Sequence, residues 1–404
     1  MNHHNYYIDL FAGCGGLSLG LFNAGWKGLF AIEKSDDAFK TLKHNLIDKK
    51  KHFDWVDWLE QTNLDIDAVM NDHEKELVEL RGSVDMVVGG PPCQGFSMVG
   101  RREEGDARNE LINSYIKFIR LVRPKIIFFE NVKGFTLEFK KNREKGKIYS
   151  EYVREQLDKA GYYLRDELVN FSDYGIPQKR TRFILVGVQK KFAKYRKQKV
   201  KNFFDFISEN RESFLINKGL PQRPKLGDAI SDLLMKHGKA TCPDFKGFES
   251  GYYGATENPY QTFLRSEVDC EIADSHRFAK HNSDTIDRMA FILEKSARNK
   301  DVDKDIRTKY KITKHRLIAL DENEQCPTLT SHPDDSIHYS EARILTVREY
   351  ARIQSFPDWY EFRGRYTTGG DRRKREVPRY SQVGNAIPPL FGELSGLALK
   401  DLLS

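Results

Sequence analysis

Two nearly unbroken apolar runs, VDMVVGG (Val84–Gly90) and KIIFFENV (Lys125–Val132), flank an amphipathic stretch, RNELINSYIKFIRLV (Arg108–Val122). A strand that is apolar on both faces has to be buried on both faces, and a sheet covered by helices on each side provides that burial. The neighbouring segments extend the pattern. YYIDLFAG (Tyr6–Gly13) predicts a strand ending in glycines, LSLGLFNAGW (Leu17–Trp26) a helix, GLFAIE (Gly28–Glu33) a strand, DDAFKTLKHNL (Asp36–Leu46) a helix and RTRFILVGV (Arg180–Val188) another strand. Strand–helix alternation of this kind predicts an α/β fold, a doubly wound and mostly parallel sheet with right-handed crossovers.

The alternation stops at about Leu220. From there to Glu341 Pro, Gly, Asn, His and Asp are frequent, and a second, smaller and irregular domain is expected. Helical spacing returns at Leu345–Phe356 and Ile387–Leu403. The expected division is residues 1–220 and 342–404 in one domain, the last stretch being a return segment, with 221–341 as the other. Gly134–Lys147 and Arg363–Arg379 read as exposed charged loops. The formal charge of +7 is segregated: Lys190–Lys239 holds 13 Lys/Arg against 5 Asp/Glu, and Arg363–Arg379 holds 7 against 2. Such segregation fits either a polyanion partner or a solvated face. No apolar run reaches the roughly 18 residues of a membrane span, and the N-terminus has no signal-peptide pattern. The five cysteines are widely spaced without a C-x-x-C, so no metal site and no disulfide framework is expected. A reduced, cytoplasmic protein is the expectation.

Two turns stand out chemically. DLFAGCGGLSLG (Asp9–Gly20) follows the first strand and opens the first helix, which brings backbone N–H groups toward a ligand. It lacks the third glycine of the dinucleotide pattern G-x-G-x-x-G, so no diphosphate site is expected. Glu33 at the end of the second strand suits a ribose. Asp65-Ile66, where a third strand could end, offers a carboxylate to an adenine amino group, and Phe11 offers a ring face. Together they describe an adenosine pocket. The second turn, GGPPCQGFS (Gly89–Ser97), sets Cys93 just after a strand, between two φ-fixing prolines and a glycine.

DLFAGCGGLSLG, GGPPCQGFS, ENV (Glu130–Val132), QKRTR (Gln178–Arg182) and SQVGNAIPP (Ser381–Pro389) resemble, in order and spacing, the motif set of the DNA cytosine-5 methyltransferases. The resemblance covers most of the chain outside roughly 221–325. It implies the S-adenosylmethionine-dependent methyltransferase fold and methylation of a cytosine flipped out of double-stranded DNA. Carbon 5 of cytosine is a weak nucleophile, and adding a thiolate to carbon 6 activates it as an enamine. Cysteine can both add and leave, so Cys93 is the implied nucleophile. Glu130, at the end of a buried strand, would supply a proton at N3, while Asn131 and Val132 shape the turn. Arg182 and Arg180 would hold the base O2 and the nearby backbone.

By the same resemblance Phe11, Ala12, Gly13, Gly15, Gly16, Leu17, Glu33, Lys34, Asp65, Ile66, Pro92, Asn385 and Ala386 would form the S-adenosylmethionine pocket. Asp67 is an alternative to Asp65. Gln94, Ser97, Arg101 and Arg102, in a glycine-hinged segment resembling the family's closing loop, would meet the DNA. Region 221–341 would be the target recognition domain. Chain size and family imply a monomeric modification enzyme of a restriction–modification system, acting on the same site as a cognate endonuclease without a stable complex. Two other readings are a tRNA cytosine-5 methyltransferase, whose typical Cys-Phe-Thr signature is not found here, and a catalytically inactive DNA-binding regulator, against which the intact Cys93, Glu130 and Arg182 count.

Overall fold

Strands β1 (Tyr6–Leu10), β2 (Lys27–Ile32), β3 (Met86–Gly89) and β4 (Ile126–Val132) lie side by side in parallel in the computed structural model, which describes residues 5–92, 110–137, 149–192, 197–367 and 376–403. Further along the chain come β5 (Tyr162–Asn170), the two-residue β6 (Gln178–Lys179) and β7 (Thr181–Gln189). The main sheet has the order β2-β1-β3-β4-β7-β5, with β7 antiparallel to both its neighbours. The order runs outward from β1 to β2 on one side and from β3 to β4 on the other. β1 and β3 therefore flank the switch point where ligands of open α/β sheets bind. Ile8, Leu10, Phe30, Val87, Ile127 and Phe129 are almost fully buried between helical layers, as their apolar runs require.

Helix α1 (Gly16–Asn23) begins after Gly15, whose φ of 85° no β-carbon residue adopts readily. Helix α2 (Asp36–Leu42) is capped by the Ser35 hydroxyl, and the expected helix to Leu46 continues instead as a π-helical stretch, Lys43–Lys49. No strand forms at Asp65-Ile66, contrary to the sequence expectation. Asp65 is the N-cap of α3 (Ile66–Asp72) and accepts the N–H groups of Asp67 and Ala68, so local capping chemistry wins there. α4 (Glu74–Glu79), α5 (Glu110–Val122) and α6 (Tyr149–Lys159) complete the helices before β5. The last helix, Pro389–Asp401, packs its glycines on α1: a β-carbon on Gly20 would lie 2.6 Å from the Gly392 and Glu393 backbone. Trp26 Nε1 donates to the Gly396 carbonyl at 2.8 Å in the same contact.

The chain divides into two compact units. The first comprises Met1–Asn170, Thr181–Arg211 and Phe391–Ser404, and the second Phe171–Arg180 and Glu212–Leu390. The second unit thus reaches well past the expected 341. Helix Val347–Ile353 explains why: each of its residues is buried, and Arg348, Glu349 and Arg352 carry their charges inward. Arg352 pairs with Asp232 and Asp358, Arg348 with Asp274, and Arg343 with Glu349 at 2.7 Å. Burial works to raise the Glu349 pKa, and the Arg343 guanidinium outweighs it and holds the carboxyl at about 2. Asp232 and Asp274 come from distant parts of the sequence and tie 342–390 to the rest of the second unit. The unit is also more regular than its composition suggested. It has an antiparallel three-stranded sheet, in the order Ile272–Arg277, Glu249–Tyr252, Lys239–Thr241, and an Asn282-capped helix, Ser283–Lys295, over its own apolar cluster.

Candidate active site

The strand registers line up one edge of the main sheet. Leu10 is paired with both Ile32 and Gly89, Gly89 with Phe129, and Val132 with Arg182. The residues just beyond these pairs therefore gather at the carboxyl ends of the parallel strands. They are the Phe11–Gly16 turn, Glu33, the Gly90-Pro91-Pro92 turn and Glu130, with Arg182 entering from the antiparallel β7.

At the centre of this edge Arg182 Nε meets Glu130 Oε1 at 2.9 Å, and both side chains are largely buried. Burial lowers the Arg182 pKa, and Glu130 works to restore it. Glycine at position 90 leaves the Glu130 carboxylate room, since a β-carbon there would lie 2.7 Å from Glu130 Oε2. Asn131 Nδ2 donates to the Pro91 carbonyl at 3.2 Å, which ties the proline turn to β4 and matches the turn-shaping role expected of it. The close approach of Gly90 to Glu130 was not anticipated from sequence; a glycine directly before the two prolines was its one signal. Arg180 behaves differently from Arg182. It is 2% exposed, belongs to the second unit, and its guanidinium donates to the carbonyls of Leu329 and Gly384 at 3.3 and 2.8 Å. That engagement ties the chain to itself through backbone carbonyls; the sequence expectation for Arg182 and Arg180 was to hold the base O2 and the nearby backbone.

The first turn is built around Glu33. Its two oxygens accept the N–H groups of Gly13 at 2.9 Å and Ser35 at 2.7 Å. Burial raises its pKa, and those backbone donors partly offset the rise. Phe11, Gly13 and Gly15 all have positive φ, and the space beside Gly13 where a β-carbon would stand is open. The turn is thus a cradle with a carboxylate at one end. Lys34 pairs with Asp65 at 2.8 Å, and this hydrogen-bonded partner holds Asp65 below the usual carboxylate range. Asp67 instead accepts the Ser114 hydroxyl at 3.0 Å. Ala12, Gly16, Leu17 and Ile66 are parts of the same turn and of the α1 and α3 starts. Cys14 is buried in the turn, with its thiol pushed up to about 12 by burial.

Beneath the turn lies a pair that the sequence reading missed. Ser18 on α1 donates to Asp9 Oδ2 at 2.6 Å, and Asp9 sits in the middle of β1 with its carboxyl pushed up to about 7 by burial. Pro92 is described and exposed. Asn385, exposed, and Ala386, half-buried, end the helix Arg379–Asn385 of the second unit. Cys93, Gln94, Ser97, Arg101 and Arg102 lie outside the described residues.

Among the described residues no helix is long and apolar enough to cross a membrane. Part of the positive charge counted at 190–239 is paired, with Lys190 to Asp158, Lys199 to Asp401 and Lys239 to Glu249.

Comparison with known proteins places this geometry. The chain is 30% identical over 399 residues to the Type II methyltransferase M.DdeI of Desulfomicrobium norvegicum, covering 96% of this chain and 86% of that protein. It is 28% identical over 392 residues to the Type II methyltransferase M1.HphI of Haemophilus parahaemolyticus, covering 96% and 84%. The fold is similar to that of a DNA modification methyltransferase encoded within an E. coli prophage, with a TM-score of 0.63 at 23% identity over 98% of this chain and 99% of the other. It also resembles the S. pombe Dnmt2 methyltransferase, with a TM-score of 0.53 at 15% identity over 99% of each chain. The family model of C-5 cytosine-specific DNA methylases matches residues 6–399, and the protein belongs to that family as a DNA (cytosine-5) methyltransferase.

Proposed function

We propose that the chain methylates carbon 5 of a flipped-out cytosine in a specific DNA sequence, with Cys93 as nucleophile and Glu130 and Arg182 as its partners at the base. The observation that carries this reading is the alignment of the Gly90-Pro91-Pro92 turn with the Glu130–Arg182 pair on one sheet edge. Cys93 directly follows that turn in sequence. Its thiolate adds to carbon 6, and the electrons of the 5,6 double bond move toward N3. Glu130 shares a proton with N3 as that density builds. Arg182 fixes the Glu130 carboxylate and is the candidate donor to the base O2. After carbon 5 has been substituted, loss of its proton lets the Cys93 sulfur leave and restores the ring. Arg180 acts as a positioning residue through Leu329 and Gly384.

The cradle fits an adenosine with a free ribose. Glu33 offers carboxylate oxygens, Phe11 a ring face, and the glycine turn leaves space without a diphosphate pattern. S-adenosylmethionine, when bound, supplies the methyl group. Glu33 and the Phe11–Leu17 turn would hold it, with Lys34, Asp65, Ile66, Pro92, Asn385 and Ala386 as further candidates. Gln94, Ser97, Arg101 and Arg102 are the candidate DNA contacts beside the nucleophile. We also assign the chain to a restriction–modification system, acting as a cytoplasmic monomer on the site that a cognate endonuclease cuts.

DNA carrying 5-fluorocytosine at the methylated position tests the chemistry, because fluorine blocks the final elimination. A covalent adduct at Cys93 that requires S-adenosylmethionine is expected. An adduct elsewhere, or none on a duplex that the enzyme methylates, overturns the scheme.

A further inference from the structure

Arg277, the last residue of strand Ile272–Arg277 in the second unit, is 9% exposed, and its Nε is buried with no acceptor. No ion pair of its guanidinium is found among the described residues. A buried charge left unpaired is costly, and such groups are normally paired with a carboxylate or lost. Here the group is held by rings instead. Its central carbon lies 3.8 Å from the Tyr366 ring centroid, 4.1 Å from that of Phe248 and 5.1 Å from that of Phe245. Phe245 is 41% exposed at the tip of the hairpin between the Lys239–Thr241 and Glu249–Tyr252 strands. The frame is braced from behind: Asp244 accepts from the Tyr366 hydroxyl at 3.1 Å and pairs with Arg379 at 2.6 Å. Stacking on rings fixes the plane of the guanidinium without using its hydrogen-bond donors, so a rigid fork is left to be satisfied from outside the chain.

We propose that Arg277 is a specificity-determining residue that reads the major-groove edge of a guanine in the target sequence, the rings of Phe245, Phe248 and Tyr366 holding its fork for O6 and N7. The assignment rests on the proposed DNA methylation. One feature favours a base edge over a phosphate. A fork of fixed plane matches a planar pair of acceptors.

The test uses the full chain. The methylated sequence is first mapped in DNA from cells expressing the wild type, and each guanine of that site is then replaced in turn by 7-deazaguanine, which lacks the N7 acceptor. Binding by the wild type should weaken at one guanine by about 5-fold or more, since one of the two hydrogen bonds of a bidentate base contact is lost. Arg277→Met keeps the packing on the rings and removes the donors; it should be indifferent to that replacement and should relax discrimination at that one position. Its melting temperature should change little, since the lost attraction to the rings is offset by removing a buried charge that has no carboxylate partner among the described residues. Arg277→Lys, which keeps the charge without the fork, should lose the same discrimination. The proposal is overturned if no guanine of the site is sensitive in the wild type. It is overturned also if Arg277→Met weakens all sequences alike while flattening the log–log salt slope by about 0.9, the mark of a phosphate contact. A variant that melts much earlier and loses all binding makes Arg277 structural and overturns it as well. A wild type that methylates no cytosine fells the parent reading, and the mapping step detects that by itself.

Discussion

Glu130 and Arg182 show what a single pair does at this site. Their 2.9 Å contact fixes a carboxylate at the end of a buried strand, and Gly90 leaves it the room. Glu130→Gln keeps size and polarity but cannot hold the proton. Turnover should fall by roughly 10²-fold or more, with cofactor binding little changed, as measured by single-turnover methylation and calorimetry. A near-native rate with weakened cofactor binding would move Glu130 into the adenosine pocket. Cys93→Ala should abolish methyl transfer and leave DNA binding, since flipping needs no covalent bond; normal turnover by this variant removes Cys93 from the chemistry. Asp9 carries a pH dependence. Its folded pKa of about 7 lies above the unfolded value near ~3.9. Folding therefore takes up a proton between the two, and this contribution to stability is greatest below about pH 4 and declines as pH rises through about 7. Asp9→Asn, which can still accept from Ser18, should melt above the wild type at pH 8 and level with it at pH 4. Equal melting at both values would mean that Asp9 titrates normally.

At the scale of elements, glycine spacing decides how closely helices approach. Gly20 on α1 faces Gly392 of the last helix, with backbone 2.6 Å from where a β-carbon would stand. Gly20→Ala should therefore lower stability by about 1–3 kcal/mol through overpacking, despite alanine's better helix propensity, and thermal melting reads the sign directly. A rise in melting temperature would mean that the two helices separate freely. β1 to β4, β7, α1 and α5 were legible because their apolar periods are long and unambiguous. Helix Ser283–Lys295 was missed although its apolar residues follow helical spacing and Asn282 caps it, since the surrounding Pro- and Gly-rich composition dominated the reading. Asp65 illustrates the opposite failure. A carboxylate three residues before a backbone N–H that needs a partner becomes a cap, and the anticipated strand gives way to a helix start.

For the whole molecule, the division of labour between affinity and specificity is the open question, since phosphate contacts carry no sequence information and base contacts do. Exchanging the recognition region with that of a relative of different specificity should move methylation to the relative's site. The boundaries of the second unit advise carrying 212–390 rather than 221–341, because the Arg348–Asp274 and Arg352–Asp232 pairs would otherwise be split between two parents. Methylation mapping decides it: a folded graft that still marks the parent's sequence places specificity elsewhere. The sequence by itself determined the α/β class, the parallel sheet and the motifs of the site, because apolar periodicity and short glycine or proline turns are local and survive without coordinates. Only the tertiary structure decided that Arg180 bonds to the chain's own carbonyls while Arg182 pairs with Glu130, that residues 342–390 join the second unit, and that Arg277 stands among rings without an ion-pair partner among the described residues. Each of these depends on which distant groups meet a buried charge, and the cost of leaving such a charge unmatched is settled by packing that no local pattern encodes.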